Sequence, residues 1–203
     1  MPKAKDYLSV YACDEMLWDK NLCFAGIDEA GRGPLAGCVM AACVVMPRTP
    51  RIAGVYDSKS VSEKRREQLY KQIVQYALFV GTGRAEAREI DEINILQATK
   101  LAMRRAAQGA PVRLFLIDAV KGIGLDGEEK PIIHGDAISY SIAAASIIAK
   151  VTRDREMLML DHLYPDYGFA SHKGYGTKAH MNALRALGPC PEHRTTFLGR
   201  ILR

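Results

Sequence analysis

Ten residues, Asp28-Glu29-Ala30-Gly31-Arg32-Gly33-Pro34-Leu35-Ala36-Gly37, constrain this chain more than any other stretch. Two adjacent carboxylates close the apolar run Cys23-Phe24-Ala25-Gly26-Ile27, and a loop with three glycines and one arginine follows at once. Acids at a strand end can hold a hard cation through oxygen. Glycine lets a backbone approach a ligand closely, and the planar guanidinium of arginine matches phosphate. One short segment thus offers a metal-holding end and a nucleic-acid-holding end, a combination suited to metal-assisted chemistry on a phosphodiester.

The rest of the chain gives that segment an α/β setting. Cys23–Asp28 and Cys38–Met46 read as strands joined by the glycine loop, a hairpin-like antiparallel pair that Pro47 and Pro50 end. Ser62 is the expected N-cap of a helix with Leu69, Ile73 and Ala77 on one face. Leu78–Arg84 reads as a strand, Ile95–Ala107 as a helix with Leu96, Met103 and Ala107 near one side, and Val112–Asp118 as an apolar strand that ends on an acid. A polar loop over Gly122–Lys130 leads to a short strand at Pro131-Ile132-Ile133. Ser139–Leu160 is expected to be one long helix, apolar all round in its first half and therefore buried there. Tyr164-Pro165 breaks it, Gly168–Thr177 reads as a glycine-rich loop, and Lys178–Leu187 as a further helix. Strands followed by alternating helices and strands imply an α/β core with a mixed sheet.

With 203 residues, 48% of them hydrophobic, the expectation is a single domain. No apolar run approaches bilayer length: Val39–Met46 is far too short. The N-terminus, with Lys3, Lys5 and Asp6, has no secretory apolar stretch. Cys13, Cys23, Cys38, Cys43 and Cys190 are odd in number and contain no C-x-x-C pair, which fits reduced thiols and a cytoplasmic location. A net charge of +5 permits a polyanionic partner without requiring one.

Four acids occupy suggestive places: Asp28 and Glu29 at one strand end, Asp118 at another, and Asp136 after Gly135 before the long helix. Ligand sites in α/β sheets often lie beyond strand ends, so these acids can converge. Clustered carboxylates repel unless cations neutralise them, and two divalent ions about 4 Å apart can stabilise the attacking and leaving oxygens of a phosphoryl displacement. A lone acid after a strand is otherwise an ordinary turn or cap residue. Arg32 between glycines is a phosphate or sugar contact, or simply part of a Gly-x-Gly turn. Lys59, in Asp57-Ser58-Lys59-Ser60, is a phosphate candidate, whereas Lys64, Arg65 and Arg66 read as a solvated helix face. Ser146 and Lys150 lie four apart on one helix face and either bind one phosphate or are a buried serine and a snorkelling lysine. Tyr175, between glycines in His172-Lys173-Gly174-Tyr175-Gly176-Thr177, either stacks on a sugar or base or caps the core. His172, His180 and His193 lack zinc-ligand spacing with the cysteines and read as surface or hydrogen-bonding residues.

Together, Gly26–Gly37, Asp57-Ser58-Lys59, Ile117-Asp118, Gly135-Asp136-Ala137, Ile142–Val151 with Arg153-Asp154-Arg155, and His172–Thr177 resemble the ribonuclease HII family, the type 2 ribonucleases H, from about Phe24 to Phe197. The resemblance implies an RNase H-like fold with a central mixed sheet flanked by helices. It further implies that a C-terminal helical part, from about residue 160, completes the substrate groove. It implies cleavage of RNA in RNA–DNA hybrids and on the 5′ side of single ribonucleotides in duplex DNA, leaving 5′-phosphate and 3′-hydroxyl ends, by a monomer using two Mg²⁺ or Mn²⁺ ions. Asp28, Glu29, Asp118 and Asp136 match the family's metal-binding catalytic acids. Gly31, Arg32 and Gly33 match its 2′-hydroxyl sensor, and Tyr175 matches its junction-reading tyrosine. Lys59, Ser146 and Lys150 fall in segments that match its phosphate contacts. His134 stands where many members carry lysine. The related ribonuclease HIII carries an extra N-terminal domain, for which the roughly 20 residues before the first strand leave no room.

Overall fold

In the computed structural model, which describes residues 7–56 and 61–199, five strands form one mixed sheet in the order β3-β2-β1-β4-β5. They are β1 (Ala25–Ala30), β2 (Val39–Val45), β3 (Phe79–Ala85), β4 (Leu114–Asp118) and β5 (Glu128–Ile132). The β1–β2 and β2–β3 pairs are antiparallel, and the β1–β4 and β4–β5 pairs are parallel. The expected hairpin is therefore present, but β1 runs two residues past its expected end. Asp28 and Glu29 lie within its last half, paired with Ala42 and Ala41 of β2. The last strand starts at Glu128, inside the stretch read as loop. Pro131 sits on this edge strand, where a missing N–H is tolerated.

The helices are α1 (Tyr7–Trp18), α2 (Glu63–Tyr76), α3 (Ala87–Ala107), α4 (Tyr140–Leu163), α5 (Phe169–His172), α6 (Lys178–Leu187) and α7 (Thr195–Leu198). Strand alternation sorts the core into two layers. Ala25, Ile27, Ala41, Cys43, Phe115 and Ile117 pack with Ala98, Ala102, Met103 and Ala106 of α3. On the other face Ala42 and Val44 meet Leu69 and Ile73 of α2 and Ala143–Ala145, Ile147 and Ile148 of α4, and Leu116 meets Ile142. Both faces being covered explains why β2 is an uninterrupted apolar run rather than an alternating one.

Several boundaries have identifiable causes. Ser62 caps α2 as expected, its side chain accepting from the Arg65 N–H at 3.3 Å. The expected helix from Ile95 is the second half of α3. Asn94, at φ 67°, breaks the helix, and its side-chain oxygen accepts from the N–H groups of Leu96 (3.0 Å) and Gln97 (3.2 Å), restarting it. Leu96 therefore faces solvent at 42% exposure rather than joining Met103 on the core side. The first half of α3 starts with a capping box between Glu86 and Glu89. Helix α4 is capped by Ser139 and buried throughout its first ten residues, as its composition implied. Its start is also held from α1: the buried Asp14 carboxylate accepts from the Ser139 hydroxyl (2.6 Å) and from the N–H (2.8 Å) and hydroxyl (2.7 Å) of Ser141. The glycine-rich stretch after α4 contains the short α5.

Helix α4 crosses β1 at Gly26. A β-carbon there would lie 2.1 Å from the backbone carbon of Ser141. Gly26→Ala should therefore cost about 3 kcal/mol or more and lower Tm by roughly 10 °C. A melting temperature within 2 °C of the parent would show that α4 can ride up without loss.

Candidate active site

The parallel register pairs Ile27 with Ile117, so the next residues, Asp28 and Asp118, stand side by side. Both follow the alternation that puts Leu116 and Ala42 on the α4 face. Asp28 is buried; its Oδ1 accepts from the Glu29 N–H at 2.7 Å, and the Ser146 hydroxyl of α4 hydrogen-bonds to it. Burial first, then the charges of Glu29 and Asp118, push its carboxyl well above the usual carboxylate range. Asp118 Oδ1 accepts from the Gly135 N–H at 2.7 Å. That bond tethers the 3₁₀ turn Gly135–Ala137, on which Asp136 is half-buried, to the end of β4. Asp28, Glu29 and Asp118 thus share one electrostatic cluster, with Asp136 on a turn bonded to it. Among the described residues, no three His, Cys, Asp or Glu side chains form a preformed metal cage.

Beyond Ala30 the chain makes the glycine loop. Gly31 has φ 96°, and a β-carbon on it would lie 2.0 Å from Arg153 Nε, so only glycine fits. Arg32 points outward, with Nη1 3.4 Å from Glu29 Oε1. The Tyr175 ring is 46% exposed and lies beside Gly33, 3.7 Å from where a β-carbon on Gly33 would sit. Glu29, Gly31, Arg32, Gly33, Ser146, Lys150 and Tyr175 line one cleft of about 320 Å³. Lys150 is held there by Asp154, whose Oδ1 accepts from its Nζ at 2.6 Å. A larger open groove of about 730 Å³, at the other end of β4, contains Arg104, Arg105 and Arg113. Their donors are engaged by the carbonyls of Ile123 and Asp126 and by Glu89, and none of the four candidate acids lines it.

The structure brings together ten of the eleven sequence candidates; Lys59 lies outside the described residues. One expectation changes. Arg66 is buried rather than solvated, donating to the Val61 carbonyl at 2.9 Å and facing Asp154 at 3.6 Å. Of the two readings of the three histidines, surface or hydrogen-bonding, the second holds: all three are buried and hydrogen-bonded. His172 and His180 stack at 4.3 Å, and His180 Nε2 is 3.0 Å from His193 Nε2. His180 Nδ1 meets the Tyr175 carbonyl at 3.0 Å, so this cluster supports the loop that carries Tyr175. Two residues escaped sequence reasoning, Asp14 and Arg194, and Arg153 enters it only as part of a family-like segment. Isolated charged residues carry no periodicity that separates buried from exposed, and only the folded contacts reveal these roles.

A mixed five-stranded sheet with helices on both faces and acids at adjoining strand ends defines a nuclease of the ribonuclease H class. The solved ribonuclease H2 from Pyrococcus horikoshii OT3 superposes with a TM-score of 0.75 at 25% identity, over 90% of this chain and 96% of that one. Ribonuclease HII of Desulfitobacterium hafniense (strain Y51) is 54% identical over 187 residues, 91% of this chain and 72% of the relative. That of Syntrophotalea carbinolica is 53% identical over 177 residues, 86% of this chain and 85% of the relative. The family model for ribonuclease HII matches residues 25–200. The chain belongs to the ribonuclease HII family, and it is a metal-dependent endoribonuclease of the ribonuclease H type. No helix among the described residues is long and apolar enough to cross a membrane.

The histidine cluster generates a pH prediction. Burial first, then the neighbouring His180, pulls the His193 pKa from 6.5 down to about 4. Between those values the unfolded chain binds a proton that the native protein refuses, so stability is complete above the unfolded value and falls as pH drops toward 4. Urea midpoints measured from pH 7 to 4.5 should decline, and His193→Gln should make the decline shallower. An unchanged slope in that variant would remove His193 from the acid response.

Proposed function

We propose that this enzyme cuts RNA in RNA–DNA hybrids and also on the 5′ side of single ribonucleotides in duplex DNA, leaving 5′-phosphate and 3′-hydroxyl ends. The observation that carries this reading is the shared cleft. Glu29 from the acid cluster and Gly31, Arg32, Gly33 and Tyr175 from the candidate reading surface line the same 320 Å³ space. A group that recognises a sugar and a group that acts on the adjoining phosphate are then within one nucleotide of each other.

The donor set suits divalent ions. Asp28, Glu29, Asp118 and Asp136 offer only hard carboxylate oxygens, and the upward push on Asp28 is the strain that a nearby cation relieves. The lack of a closed cage among the described residues fits ions whose shells are completed by water and substrate oxygens. When bound, two Mg²⁺ or Mn²⁺ ions supply an activated water and charge neutralisation at the leaving oxygen. Asp28 and Asp118, aligned by strand pairing, would hold one side of that site, and the Gly135–Asp118 bond ties the turn that carries Asp136 to it. Gly31–Gly33 brings backbone against the ribose, where a 2′-hydroxyl separates RNA from DNA. Tyr175 stacks on the following sugar. Lys150, braced by Asp154, and Ser146, beside Asp28, lie where a phosphate would pass, and Lys59 is assigned to the same backbone contact. Such contacts position the duplex without reading its sequence. The helices beyond residue 160 complete the groove by carrying Tyr175, and the enzyme acts as a monomer.

An end-labelled duplex with one ribonucleotide, incubated with Mg²⁺ or Mn²⁺, tests the assignment. Asp118→Asn should slow cleavage by at least about 100-fold. Parent-like cleavage would remove Asp118 from the acid set, and equally fast cutting of an all-DNA duplex would point to a general DNA nuclease instead. Tyr175→Ala should weaken cutting at the RNA–DNA junction more than binding to plain duplex; equal losses would end its role as junction reader.

A further inference from the structure

Two guanidinium groups lie buried beneath the reading loop, outside the acid cluster. Arg153 of α4 is 1% exposed and Arg194, just before α7, is 0% exposed. Arginine is almost never fully buried unless paired. Among the described residues neither is ion-paired to a carboxylate; both donate to backbone carbonyls. Arg153 reaches the carbonyls of Cys38 (3.0 Å), Ala36 (3.1 Å) and Lys173 (3.0 Å). Arg194 reaches Gly31 (2.7 Å) and Cys38 (3.0 Å) through Nη2, Arg32 (3.0 Å) through Nη1, and Gly37 through both Nε (2.9 Å) and Nη2 (2.8 Å).

The division between the two is informative. Arg153 holds the far end of the loop and the segment before Tyr175. Only Arg194 holds the carbonyls of Gly31 and Arg32. In a planar trans peptide the carbonyl of one residue and the N–H of the next point in opposite directions. Turning the Gly31 and Arg32 carbonyls inward therefore turns the Arg32 and Gly33 N–H groups outward, toward the cleft that these residues line. We propose that Arg194 is a positioning residue that aims the Arg32 and Gly33 amides at the ribose 2′-hydroxyl. It rests on the reading of Gly31-Arg32-Gly33 as the sugar sensor, and it adds the group that sets the sensor's shape.

A flat fork of donors is what the arrangement needs. Arginine presents five N–H groups in fixed directions, whereas lysine presents three from a single point and cannot span four carbonyls. The group stays charged at neutral pH, although burial first and the adjacent Arg153 second lower its pKa to about 10. A positive donor strengthens each bond it makes to a carbonyl, and the Phe197 ring 5.3 Å from Cζ backs the guanidinium.

The test compares the full-length parent protein, Arg194→Gln and Arg194→Lys. In metal-free buffer, fluorescence anisotropy gives Kd for a duplex with one ribonucleotide and for the same duplex made wholly of deoxyribonucleotides. The parent should prefer the ribonucleotide duplex, and both variants should lose that preference by about tenfold, or down to parity. Affinity for the all-deoxy duplex should stay within about twofold, because phosphate contacts dominate it. A general loss of folding would lower both affinities together and so would not reproduce this pattern. Retained preference in Arg194→Gln, with the parent discriminating, overturns the proposal alone. Full preference in Arg194→Lys would assign the effect to charge rather than to aimed amides, and also overturns it. Absence of cooperative unfolding in both variants would make Arg194 a residue that holds the whole domain and overturns its specific role. No preference in the parent would instead defeat the reading of the loop as a sensor.

Discussion

Helix α4 can lie on β1 at this height because residue 26 has no side chain, and the site is built from that contact outward. With the Gly26–Ser141 approach set, the helix acts as a ruler. Ser146, Lys150 and Arg153 are spaced by four and three residues, so they share one face and span roughly 10 Å along the axis. Ser146 meets Asp28, Lys150 lines the cleft, and Arg153 lies where a β-carbon on Gly31 would fall. A single helix thus touches the acid cluster, the cleft wall and the underside of the loop in order. Asp14 of α1 fixes where this ruler starts by accepting three hydrogen bonds from Ser139 and Ser141.

The molecule buries charge of both signs, and handles the two differently. Asp28 lies beside Glu29 and Asp118, and burial together with those two charges disfavours its ionised form. Arg153 and Arg194 are satisfied within the protein by carbonyl oxygens, and need no ligand. Repulsion left standing at the acids is what a cation would relieve under the proposed function, whereas the satisfied arginines hold backbone still. The contrast separates acids that crowd one another from cations that are fully partnered in the protein itself.

Much of this was legible in the sequence, for physical reasons. Apolar runs at Cys38–Met46 and Val112–Asp118 located two central strands, and Ser62 and Ser139 located helix starts, because these signals are local. The acids and the glycine loop were readable because residue type and strand-end position carry their chemistry. Long-range contacts were not readable. The helical half before Asn94 went unread, and the expected start at Ile95 coincides with the break where Asn94 turns to positive φ and caps the next segment. Arg66 looked like one more surface cation in a charged run, and the histidines stayed open between surface and hydrogen-bonding, since burial depends on what packs over them. Arg194 meets carbonyls more than 150 residues earlier in the chain, a relation with no trace in local pattern.

The Gly31–Gly37 loop behaves as the middle layer of a three-part stack rather than as a free turn. The Leu35 N–H donates to the Gly174 carbonyl at 2.8 Å, and the Leu35 carbonyl accepts from the Arg194 N–H at 2.8 Å. The Gly37 N–H donates to Glu192, and Ala36 bridges to His193. Gly33 and Tyr175, on neighbouring layers, are therefore held at a set spacing, with the histidines bracing the Tyr175 side and Arg194 the glycine side. Holding recognition groups in place before binding removes the ordering cost that a mobile loop would impose on the complex. The acid end is braced separately, by the Glu29 and Gly135 N–H groups on Asp28 and Asp118 and by the Ser146 hydroxyl on Asp28. Under the proposed function the loop is thus shaped before a duplex arrives, and none of the binding energy goes into ordering it.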